Sequence, residues 1–74
     1  MHIYVDYTFL PGSSESDKRN VFARGTTGGV ATTADGLIGG GAVARNMEHA
    51  QVLAAELKAF ACVDAHSVRI VERE

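Results

Sequence analysis

The chain has 74 residues, 46% of them hydrophobic and 22% charged, with a formal net charge of −2 and a pI near 5.8. That length suits one small domain, residues 1–74, with a modest core, and the slight acidity speaks against a general nucleic-acid binder, which normally carries a basic face. One cysteine, Cys62, rules out an intrachain disulfide or a cysteine metal cluster, and neither a signal peptide nor an apolar run of membrane-spanning length is read. The expected setting is a reducing cytoplasm without membrane contact.

Residues 2–9, HIYVDYTF, alternate. Ile3, Val5, Tyr7 and Phe9 share one face, and His2, Tyr4, Asp6 and Thr8 share the other. Aromatic and β-branched residues at period two predict a strand whose Ile3 face meets the core. Residues 10–19, LPGSSESDKR, read as a loop opened by a Pro11-Gly12 turn. A second strand is expected from Asn20 to Thr26, with Phe22 and Arg24 on one face. Thr27-Gly28-Gly29 then reads as a turn, Val30 to Ala34 as a third strand, and Asp35-Gly36 as a type I′ hairpin turn. Leu37 to about Ala44 is read as a further strand segment. Its Gly39, Gly40 and Gly41 suggest a bulge or a close backbone approach, and leave open whether they lie in a strand or a loop.

The strongest periodicity runs from Asn46 to Val63. Ala50, Leu53, Ala54, Leu57, Phe60 and Ala61 form one helical stripe, Asn46 is a candidate N-cap, and Glu48 stands near the positive helix end. An alternative start near Gly41 is possible on periodicity alone. Ser67–Arg73, in which Val68 and Ile70 alternate with Arg69 and Val71, predicts a last strand. Glu72, Arg73 and Glu74 read as a charged tail. The expected fold is α+β: a four-stranded, mostly antiparallel sheet with one helix on one face (β-β-β-α-β, with room for an extra short strand). A crossover through the helix is expected to set the last strand parallel to a neighbour, the first strand being one candidate.

The chemistry-bearing residues are sparse. Gly36 to Gly41 lack the spacing and the following Lys-Ser/Thr of phosphate loops. His2, His49 and His66 lack zinc spacing, so no metal site and no cofactor is expected from them. Ser13, Ser14 and Ser16 show no nucleophile elbow. The carboxylates carry more. The segment IYVD, ending at Asp6, resembles the first strand of ribonuclease H-like domains with its metal-binding Asp. RNMEHAQVLAAELKAF resembles that family's helix with an early Glu, here Glu48, and VRIVERE resembles its next strand, with Glu72 in place of Asp. The resemblance spans nearly the whole chain but half of the family's domain, and Tyr7 stands where the family has a small residue. It implies that Asp6, Glu48 and Glu72 bind Mg²⁺ and activate water for phosphodiester cleavage. Strand alternation opposes this, since burying Ile3, Val5 and Tyr7 against the helix turns Asp6 away from Glu48.

With one helix covering one face of the sheet, the other face stays open. Tyr4, Thr8, Phe22, Arg24, Arg69 and Val71 are the residues expected there, a mixture of aromatic and arginine side chains typical of protein interfaces. The leading expectation is a non-enzymatic protein-binding module, comparable in size and character with phage and mobile-element inhibitors of host defence such as anti-CRISPR proteins, using this face or the 10–19 loop. Alternatives are the ribonuclease H-like nuclease or nucleic-acid binder, and a self-associating module that buries the open face in a homodimer.

Overall fold

The computed structural model describes residues 2–23, 30–33 and 36–74. The elements run β1 (His2–Thr8), α1 (Glu15–Ala23), β2 (Val30–Thr33), β3 (Gly36–Ala44), α2 (Met47–Lys58), a single 3₁₀ turn (Ala65–Ser67) and β4 (Arg69–Arg73). The class is α+β, and all described strand pairings are antiparallel. β1 is central: Val5 stands opposite Ala42 of β3 on one side and Ile70 of β4 on the other. The short β2 pairs with β3 at the edge away from β1, with a register shift between Ala31 and Thr32.

Strand alternation then separates two faces. Val5, Tyr7, Phe9, Ala42 and Ala44 are buried with Ala50, Leu53 and Leu57 of α2, Val21 of α1 and Val63. Both helices therefore pack on the Ile3 face, as β1 required.

Two expectations about elements are corrected here. The 10–19 segment is a loop only to Ser14, and α1 occupies Glu15–Ala23 where a loop and the start of a strand were expected. The reason is local. The Ser14 hydroxyl accepts from the Asp17 amide at 3.1 Å, capping the helix, and Glu15 and Asp17 stand in its first turn, near the positive end of the helix dipole. Lys18, Val21 and Phe22 then share a helical face, with Val21 fully buried and the Phe22 ring edge-on to Phe9 at 5.7 Å. A second helix thus joins the one expected. The second correction concerns β4. It lies beside β1, but antiparallel to it. The crossover logic still operates: β3 and β4 both oppose β1, so the strands joined through α2 run parallel to each other, with β1 inserted between them. This is a split β-α-β connectivity.

The helix α2 begins where the cap chemistry placed it. Asn46 has extended backbone and its Oδ1 accepts from the His49 amide at 2.8 Å. The His49 Nδ1 accepts in turn from the amide of Arg45, the residue before the cap, at 3.0 Å, an arrangement like a capping box displaced by one residue. The helix ends at Lys58, five residues before Val63. Tertiary pairing draws the chain off the helical path: Cys62 accepts from the Leu10 amide through its carbonyl at 2.8 Å, and Val63 bridges to Phe9. Ala61, assigned to the apolar stripe by its spacing, is exposed beyond the helix end.

Gly39–Gly41 lie in a strand. A side chain at Gly39 would stand on the Tyr7 carbonyl oxygen, and a Cβ at Gly40 would meet the Tyr7 hydroxyl at 2.9 Å and the Phe22 ring at 3.3 Å. These glycines let an aromatic side chain lie across the neighbouring strand. Pro11-Gly12 forms the expected turn, with Gly12 at φ +83° and the Ser13 amide donating to the Leu10 carbonyl at 3.3 Å, a type II pattern. The expected turns at 27–29 and 35–36 and the position of Arg24 fall on or run into residues outside those described.

Candidate functional site: the open face of the sheet

Cross-strand register arranges the face opposite the helices in rows. Tyr4 stands between Val43 of β3 and Val71 of β4. Asp6 stands between Gly41 and Arg69, and Thr8 stands opposite Gly39. His2 faces Arg73. The Val43–Tyr4–Val71 row makes an apolar band, and Val43 is 40% exposed. Beside it on β3, Gly41 and Gly39 carry no side chains and are themselves buried.

One ion pair ties this surface together. Arg73 reaches back along the sheet and donates to both oxygens of Asp6, at 2.6 and 3.3 Å. On its way it crosses the Tyr4 ring, with the guanidinium carbon 5.2 Å from the ring centroid. The hydrogen bond to Asp6 and the charge of that carboxylate raise the pKa of Arg73 above its ordinary value. Asp6 thus has a structural partner within a strand of apolar residues. Its register neighbour Arg69 is exposed, and among the described residues no carboxylate reaches it.

Of the residues expected on this face, Tyr4, Thr8, Arg69 and Val71 are there. Phe22 is not: it belongs to α1 and packs against Phe9 on the helix side. Alternation misplaced it because the segment is a helix. Arg24 lies outside the described residues. Sequence reasoning missed Val43 and Arg73. Arg73 shares the parity of Arg69 and Val71, a signal obscured by reading 72–74 as a solvated tail.

The three acids of the ribonuclease H-like resemblance are not brought together. Asp6 is on the open face, Glu48 is exposed in the first turn of α2 on the opposite layer, and Glu72 stands opposite Ile3, whose side of the sheet faces the helices. Among the described residues no three His, Cys, Asp or Glu side chains are grouped to hold a metal ion.

An open cleft of about 350 Å³ lies where the Leu10–Ser14 turn meets Ala61 and Cys62. Burial pushes the Cys62 thiol above its ordinary pKa, and the nearby Asp17 charge adds to this. A thiol held protonated is a poor nucleophile. No described helix is long and apolar enough to cross a membrane. Comparison of the chain with protein-family models, with curated proteins and with solved structures finds no match.

Proposed function

We propose that this chain is a non-enzymatic protein-binding module that engages its partner through the open face of its sheet, in the manner of small phage and mobile-element inhibitors of host defence. The observation that carries the reading is the Val43–Tyr4–Val71 band, which lies on the face that neither helix covers and is bordered by the Asp6–Arg73 pair and Arg69. Aromatic and arginine groups around a small apolar centre are the usual composition of energetic centres in protein interfaces. The cross-strand salt bridge and the ring contact hold these side chains in one arrangement before binding, which lowers the ordering cost of association.

Affinity capture from a native host lysate tests this, with Val71→Asp on the open face and Val52→Asp on the solvent side of α2 as paired variants. Val52 is 52% exposed, so its substitution is expected to leave the fold intact. Circular dichroism checks the same for both. Loss of a specific partner with Val71→Asp and its retention with Val52→Asp is the expected outcome. Equal capture by the wild type and Val71→Asp would remove the open face from the reading.

A further inference from the structure

We infer that the open face recognises an acidic protein segment, whose carboxylate pairs with Arg69 while a neighbouring apolar side chain lies on the Val43–Tyr4–Val71 band. This rests on the binding role proposed above and adds the chemistry of the partner.

Charge supplies the first argument. The chain as a whole carries −2, yet the paired strands of this face present Arg69 and Arg73 against Asp6 alone. β4 sorts its charges by alternation: Arg69, Val71 and Arg73 stand on the open side, with Ile70 and Glu72 on the helix side. Arg73 neutralises Asp6. An approaching carboxylate therefore meets a guanidinium at Arg69 with no unpaired acid beside it among the described residues. Arg69 is directly opposite Asp6 in register, but Asp6 has turned to Arg73 instead. That leaves the planar fork of Arg69 available for a bidentate contact.

The second argument separates protein from nucleic acid, the other polyanion that a positive sheet face can hold. Single-stranded nucleic acid binds such faces by stacking bases on aromatic rings. Tyr4 is the aromatic residue of the apolar row, and the Arg73 guanidinium already lies over its ring. A base could stack there only by displacing Arg73 and breaking the pair with Asp6. An acidic peptide needs no such rearrangement. It uses the valines on one side and Arg69 on the other.

The test is selection of a random peptide library displayed on phage against the folded wild type and against Arg69→Gln. Selected peptides are expected to carry Asp or Glu next to an apolar residue, in at least twofold excess over the unselected library. Synthetic versions should bind Arg69→Gln at least fivefold more weakly than wild type, and weaken as salt is raised. NMR shifts should map to Tyr4, Val43, Arg69 and Val71. Absence of acidic enrichment, or equal binding to Arg69→Gln, overturns the inference. So does an oligothymidylate that shifts the same amides and displaces the peptides. If a lysate partner depends on Val71 but selected peptides show no acidic preference, this inference fails and the binding role stands. If capture ignores Val71, the binding role itself fails.

Discussion

Arg73 bonds Asp6 although the two are not register neighbours. Its guanidinium passes over the Tyr4 ring at 5.2 Å and ends 2.6 Å from the Asp6 carboxylate. Arg73 remains half exposed, so water and salt screen the pair. A double-mutant cycle of Asp6→Asn and Arg73→Gln, followed by urea unfolding, should give a small coupling that shrinks with added salt. A large coupling insensitive to salt would mean that the pair is a structural keystone. Its value here is positional: it sets the Arg73 guanidinium over the Tyr4 ring and occupies the Asp6 carboxylate that stands opposite Arg69.

The core of the helix interface predicts a sharp contrast on one helix. Leu57 is 2% exposed and Val52 is 52% exposed. Leu57→Ala should cost about 2–5 kcal/mol, enough to unfold much of a domain this small. Val52→Ala should stay within about 0.5 kcal/mol. Thermal unfolding followed by circular dichroism separates the two.

The start of α2 carries two side-chain bonds to backbone amides. Asn46→Ala removes the acceptor for the His49 amide and should cost about 1 kcal/mol. His49→Ala removes the acceptor for the Arg45 amide. His49→Glu or His49→Gln offers a capping-box acceptor to the Asn46 amide in its place and should recover part of the loss. Faster hydrogen exchange confined to the Arg45–His49 amides would confirm that the effect is local.

Gly39→Ala sets a side chain against the backbone of Tyr7, which cannot swing aside. It should destabilise the domain by about 1–3 kcal/mol or shift the β1–β3 register. Gly12→Ala has open space around it but a positive φ. Its cost should be about 1 kcal/mol, from backbone conformation alone. Denaturant midpoints of the two variants test the order.

Cys62 should alkylate slowly near neutral pH, because burial and Asp17 disfavour its thiolate. The sign follows from linkage: a thiol pKa raised in the folded state contributes stability below the unfolded thiol's pKa, and that contribution is lost as pH rises through the folded value. Iodoacetamide rates measured against pH should climb later than those of a free thiol. Asp17→Asn should bring the rise to lower pH. A neutral-pH rate equal to that of a free thiol would contradict the assignment.

The open face was legible in part, for reasons that differ by residue. Tyr4 and Thr8 follow from alternation in an unambiguous strand. Arg69 and Val71 follow likewise in β4. Phe22 was misplaced because ESDKRNVFA contains few strong helix formers at its end. Its helix is declared by the Ser14-x-x-Asp17 cap, and the sequence reading assigned those residues to a loop. Val43 entered the face only through its pairing with Tyr4, a relation between segments some 39 positions apart.

Local chemistry by itself determined β1 and its buried side, the Asn46 cap with α2 behind it, and the Pro11-Gly12 turn. Each rests on interactions within a few residues, where spacing and side-chain type suffice. Tertiary structure alone decided where α2 ends, which strand β4 joins and in what direction, and which arginine Asp6 takes. Those outcomes depend on distant partners. The pull of Leu10 on Cys62 and of Phe9 on Val63 outweighs continued helix. The insertion of β1 between β3 and β4 brings Arg73 within reach of a carboxylate 67 residues away in the chain.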